Sequence, residues 1–169
     1  EGIFSGMIGQ SYKFKNPDFF DKGSGLEKKL SDFIVDILFK PNKEITFSYR
    51  GRLDENDINL RRSEFDMLLN YKKWGIRAGH VLLNNIEILN FKEQRELRFA
   101  SFINITDRWL IQSAIRYDEV SKKSLNNRIS LVYIDDCISF EIGFRRKFSE
   151  YRDLKPSNSF MIKFNVFTF

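Results

Sequence analysis

At 169 residues and 20.1 kDa the chain is one domain's worth of sequence or a piece of a larger one. Its 28 Lys+Arg against 23 Asp+Glu leave a net charge of +5, scattered rather than gathered into the basic stripe that tracks a phosphate backbone, which excludes a nucleic-acid partner. The longest apolar run is four residues, Leu131 to Ile134, far short of the roughly 18 that a membrane-spanning helix needs, and a single Cys builds neither an internal disulfide nor a Cys-rich zinc site.

Eighteen Phe and 18 Ile stand against 3 Ala and 3 Pro, so residues that suit a pleated surface outweigh helix formers. No basic stretch followed by an apolar one opens the chain, so no signal peptide is expected there. In chain order, a first, irregular strand is expected within 2–13. Phe33, Val35, Ile37 and Phe39 then alternate with Asp32, Asp36 and Lys40, and Ile34 and Leu38 break the pattern. From Glu44 to Asp54 the alternation is strict, with Glu44, Thr46, Ser48, Arg50, Arg52 and Asp54 on one face and Ile45, Phe47, Tyr49, Gly51 and Leu53 on the other. The period of two returns in Phe65 to Tyr71, less regularly in 76–84, and then in Leu97 to Ile105, Trp109 to Tyr117, Ile129 to Tyr133, Ile138 to Phe144 and Phe160 to Val166, for a total of ten strands.

The connections alternate in length. Pro41 to Lys43, Lys72 to Gly75, Thr106 to Arg108 and Asp135-Asp136 are short, whereas 14–29, 55–58, 84–93, 119–125 and 149–158 are longer. All-β, antiparallel up-and-down strands of roughly 9 to 12 residues with tight turns at one end and longer loops at the other describe a transmembrane β-barrel of the outer membrane. The face bearing Arg50, Arg52, Asp54, Arg62, Glu64, Asp66, Glu96, Arg98, Arg116, Asp118, Glu141 and Arg145 would line a watery lumen, since so many charges are costly in a packed core. Aromatics near strand ends (Phe39, Tyr71, Trp74, Trp109, Tyr117, Phe169) fit a membrane girdle. A soluble ten-stranded lipid-binding barrel or a β-sandwich gives the same alternation and stays open as an alternative.

Several pieces occur in order over nearly the whole chain: Gly9-Gln10-Ser11-Tyr12, Gly25-Leu26, Ser31-Asp32-Phe33, Tyr49 to Asp54, Arg61 to Glu64, Asp107-Arg108-Trp109, Arg116-Tyr117-Asp118, Tyr133 to Cys137 and Gly143 to Lys147. Together they resemble the C-terminal barrel region of the LptD (OstA/Imp) family of lipopolysaccharide-assembly outer-membrane proteins. The resemblance implies that residues 1–169 are the last ten strands of a barrel of about twenty-six in a Gram-negative outer membrane, preceded by a periplasmic domain. It implies no enzyme activity, catalytic residue, cofactor or metal. The implied partners are lipopolysaccharide, a plug lipoprotein (LptE), periplasmic lipopolysaccharide bridge proteins, the barrel-insertion machinery and membrane lipid. Lipopolysaccharide would leave sideways along the last strand, represented here by Phe160, Ile162, Phe164, Val166, Phe167 and Phe169.

The family carries two adjacent cysteines at the turn where this chain has Asp136-Cys137, each bonded to the N-terminal region. The resemblance therefore implies one such disulfide at most, through Cys137; the alternative is a buried, inert Cys at a strand end. His80 has no recognisable nucleophile beside it and reads as a lumen or girdle residue. Arg50, Arg52 and Asp54 beside Arg62, Glu64 and Asp66 are expected to make cross-strand charge pairs. Lys13, Lys15, Lys22, Lys28, Lys29, Lys122, Lys123, Arg152 and Lys155 in the long loops are solvated charge or contacts for phosphates.

Overall fold

The computed structural model describes residues 2–15, 20, 24–84, 93–148 and 156–167. Ten strands follow one another: β1 (Ile3–Gly9), β2 (Phe33–Lys40), β3 (Ile45–Leu53), β4 (Leu60–Asn70), β5 (Trp74–Leu83), β6 (Gln94–Asn104), β7 (Trp109–Asp118), β8 (Lys123–Ile134), β9 (Ile138–Lys147) and β10 (Ser157–Val166). They form one sheet whose spatial order is the sequence order, with β1 and β10 at its two ends. Among the described residues there is no helix, and the expected all-β, up-and-down antiparallel architecture is what the chain adopts.

Short polar side chains close the tight turns by replacing ladder hydrogen bonds. Asn42 Oδ1 accepts from the Ile45 amide at 2.9 Å, and Thr106 Oγ1 accepts from the Trp109 amide at 3.0 Å. At the β8–β9 turn Tyr133 Oη donates to Asp135 Oδ2 at 3.0 Å, and Arg108 lies 3.3 Å from the same oxygen.

The chain divides into two compact units. In Glu1–Met67 with Gly79–Glu96, β1 to β3 pair so that Phe39 stands opposite Phe4 and Phe47, and the rings of Phe39 and Phe47 stack with centroids 6.2 Å apart. On the other face Asp36 stands opposite Arg50 and Ile34 opposite Arg52. In Leu68–Ala78 with Leu97–Phe169, β7 to β10 pair in succession, with one register shift between Arg116 and Tyr117 of β7. Ile111, Leu131, Ile142 and Ile162 make one apolar row, and Ile129, Phe144 and Phe160 meet in the next, the two rings 5.2 Å apart. Near the tight turns Tyr71 stacks on Trp74 at 4.7 Å and Trp109 tilts against Tyr133 at 5.0 Å.

Buried apolar side chains are scarce. Among the described residues Val81 and Val132 alone are buried hydrophobics, whereas Phe160 is 83 % and Ile162 71 % exposed. What is buried is small or polar, including Gly75, Gly143, Ser130 and Asp54. Gly75 marks one tight spot, because a Cβ there would lie 2.3 Å from the Phe102 ring and 3.0 Å from the Leu69 carbonyl oxygen. Gly75→Val is expected to destabilise the sheet by about 1–3 kcal/mol through this overpacking, read as a lower unfolding midpoint in detergent.

Candidate functional site

The sheet's two faces differ chemically, and the candidate residues separate along them. On β10, Phe160, Ile162, Phe164 and Val166 stand opposite Phe144, Ile142, Phe140 and Ile138, so all four lie on the apolar face. Phe167 follows the strand and donates its amide to the Cys137 carbonyl at 2.8 Å, while Phe169 lies outside the described residues. The strand starts at Ser157, earlier than its apolar alternation suggests, because the ladder to Lys147 and Arg146 continues through polar residues.

The charged residues of β3 and β9 stand on the opposite face, and the partners of the named charges differ from those expected. Arg50 Nε donates to Asp36 Oδ2 of β2 at 3.0 Å, and Arg62 pairs with Glu64 of its own strand. Arg52 lies 3.3 Å from Asp32 and donates from Nη1 to the Ser24 carbonyl at 2.8 Å. Asp54 is bound by Arg61, whose Nε donates at 2.8 Å. The reason is positional: Asp54 lies beyond the end of β3, where the turn to β4 brings the first arginine of the Arg61-Arg62 pair to it. Asp66 lies against Gly79, where a Cβ would be 2.9 Å from its Oδ1. Asp118 caps the β7–β8 turn by accepting from the Val120 amide and the Ser121 hydroxyl. Glu141 pairs with Arg128 and lies 3.7 Å from Lys163 of β10; Arg145 stands opposite Arg128. Arg98 and Glu96 are on β6 and Arg116 on β7.

At the loop end of the first unit, Asp32, Asp54 and Glu55 place carboxylate oxygens within 4.8 Å of one another. Lys28 pairs with Glu55, and Arg52 and Arg61 flank Asp32, so three cations already match three acids. Asp32 is only 2 % exposed; burial foremost, then the neighbouring Glu55 carboxylate, pushes its carboxyl up to about 6 against the pull of Arg61 and Arg52. Asp54 is held well below the usual carboxylate range, first by the Asn56 amide and then by Arg61.

Cys137 is exposed in the β8–β9 turn, so the buried alternative does not describe it. His80 is half-buried on β5. Lys22, Arg152 and Lys155 lie outside the described residues. Sequence reading passed over Arg128 and Lys163, although the period was available: Arg128, Ser130 and Val132 alternate against Ile129, Leu131 and Tyr133.

Consecutive antiparallel strands with an exposed apolar face and a charged opposite face define a portion of an up-and-down β-barrel protein. The family model of LptD, LPS transport system D, matches residues 1–109, more than half of the 169, and the chain belongs to that family. The family is one of lipopolysaccharide transport in the outer membrane and is not an enzyme family. Comparison with curated proteins returns no match.

Proposed function

We propose that residues 1–169 form the C-terminal arc of an outer-membrane barrel that inserts lipopolysaccharide into the outer leaflet of a Gram-negative cell by lateral release along β10. The carrying observation is the apolar face of β10, where Phe160, Ile162, Phe164 and Val166 are 60–83 % exposed opposite the apolar row of β9. A seam between strands is where a barrel can pass an amphiphile sideways while few backbone groups lose their partners to lipid. The charged face would line the lumen and guide polar sugars, the apolar face would meet lipid tails, and Phe167 with Phe169 would serve the insertion machinery. The plug lipoprotein LptE and the periplasmic bridge would supply and gate the substrate. Cys137, exposed at a tight-turn end, would bond to the periplasmic region.

A soluble lipid carrier would instead turn its aliphatic and aromatic side chains into an enclosed core. The scarcity of buried hydrophobics among the described residues favours the membrane reading.

The test is photo-crosslinking in living cells. A photoreactive residue at Phe164 should capture lipopolysaccharide, and one at Phe47 on the apolar face of β3 should capture mainly bulk lipid; equal capture at both would overturn release along β10. In the same cells, cysteines placed at 14–29 or 149–158 should react with an impermeant reagent, while those at Asn42 or Asp107 should not.

A further inference from the structure

Up to the register shift after Arg116, the ladders of β7 to β10 sort the polar face of the second unit into rows. From the tight turns upward, one row is Leu110, Val132, Glu141 and Lys163, and the next is Gln112, Ser130, Gly143 and Met161. Above these come Ala114, Arg128, Arg145 and Ser159, and then Arg116, Asn126, Lys147 and Ser157. The upper two rows thus hold four cations and no carboxylate.

Arg128 and Arg145 are directly opposite in an antiparallel pair, which sets their Cβ atoms about 5 Å apart and makes like charges repel. Arg128 escapes by crossing the whole Ser130–Gly143 row to reach Glu141, which two small residues permit. Arg145 has no such outlet: its Nε is a buried donor without an acceptor among the described residues. A half-buried guanidinium whose cross-strand neighbour is a second arginine calls for a doubly charged acceptor that both can reach in bidentate fashion, which is the geometry of a phosphate group.

We propose that Arg128 and Arg145, with Lys147 and Arg116 in the row above, form a phosphate-binding site on the polar face of β7–β9 that takes a phosphorylated sugar. The assignment of that sugar to the transported glycolipid rests on the function proposed above. When phosphate is bound, Arg128 swings from Glu141 to the ligand, and Glu141 is left to Lys163 of β10, 3.7 Å away. Occupancy of the site is thereby coupled to an ion pair that ties β10 to β9.

Calorimetric titration of the full protein in detergent tests this with three probes: lipopolysaccharide, the same material stripped of phosphate, and inorganic pyrophosphate. Arg145→Gln should weaken binding of the phosphorylated glycolipid about tenfold or more, Arg145→Lys should recover part of it, and Lys43→Gln in an exposed turn should change nothing. The stripped glycolipid should bind wild type and Arg145→Gln alike. Should Arg145→Gln fail to fold, Lys147→Gln at the strand end gives the same comparison. Unchanged affinity of the folded variants for phosphorylated glycolipid would overturn the site while leaving the transport reading intact. Arg145-dependent binding of pyrophosphate without any binding of the glycolipid would keep the site and overturn the transport reading.

Discussion

Ile142→Arg is expected to cost about 2–4 kcal/mol of stability in a bilayer and to lower the yield of inserted protein several-fold. Ile142 is at the centre of β9, on the apolar face, between Leu131 of β8 and Ile162 of β10. If that face meets hydrocarbon, a guanidinium there must either shed its hydration or bend its stem toward the headgroups, and the mid-strand position leaves it the longest way to go. Gln112→Arg puts the same group on the polar face of β7, opposite Ser130, and should be tolerated. Heat-modifiable electrophoretic mobility of membrane fractions reports insertion, and urea unfolding in lipid vesicles reports stability. Equal tolerance of the two arginines would mean that the two faces meet the same solvent, which a membrane barrel forbids.

Strands were legible where one face is uninterrupted. β3 and β9 alternate strictly, and their ladders place Tyr49 opposite Ile37 and Phe144 opposite Ile129 as a period of two demands. Ends were less legible, since the ladder runs on without regard to side chain. Lys123 and Ser124 read as loop, yet they pair with Asp118 and Tyr117 because the turn is completed at Lys122, which takes φ 56°. Trp74 read as part of a turn, yet it opens β5 under a ring stack with Tyr71. Charges could be sorted to one side of the alternation more readily than to their partners. Asp36 was visible on the polar side of the β2 alternation but was not connected with Arg50, for the sequence pattern does not fix register. Asp32 read as a polar residue of the β2 alternation, and nothing in that pattern marked it as buried: its burial depends on the segment 24–32 folding back, with Asp32 donating its amide to the Gly25 carbonyl at 3.0 Å.

That segment should loosen as pH rises, with Asp32 as the titrating group. Its carboxyl is raised from 3.8 to about 6, so the folded state prefers it protonated. The associated stabilisation is complete below the ordinary aspartate range and is lost as pH climbs through about 6, with an upper bound on the order of 3 kcal/mol. Asp54 and Glu55 have the opposite sign. Burial alone would raise Glu55, but the bond from Lys28 and its own backbone outweighs it, and both groups stay ionised until pH falls through their lowered values. Between pH 5 and 7.5, therefore, Asp32 is the one member of the cluster that changes charge. Amide exchange at Asp32 and at Ser11, whose amide donates to Ser31 Oγ at 2.8 Å, should be more protected at pH 5 than at pH 7.5 after correction for intrinsic rates. Asp32→Asn should flatten that dependence. Persistence of the full slope in Asp32→Asn would assign it to another group. Gly25→Ala separates docking from titration: Gly25 has φ 74°, and a Cβ there would lie 2.4 Å from Asp32 Oδ2. Both the backbone conformation and the contact oppose any side chain, so this variant should lose protection at both pH values. A pH-dependent protection surviving in Gly25→Ala would mean that Asp32 is buried by something other than the turn at Gly25.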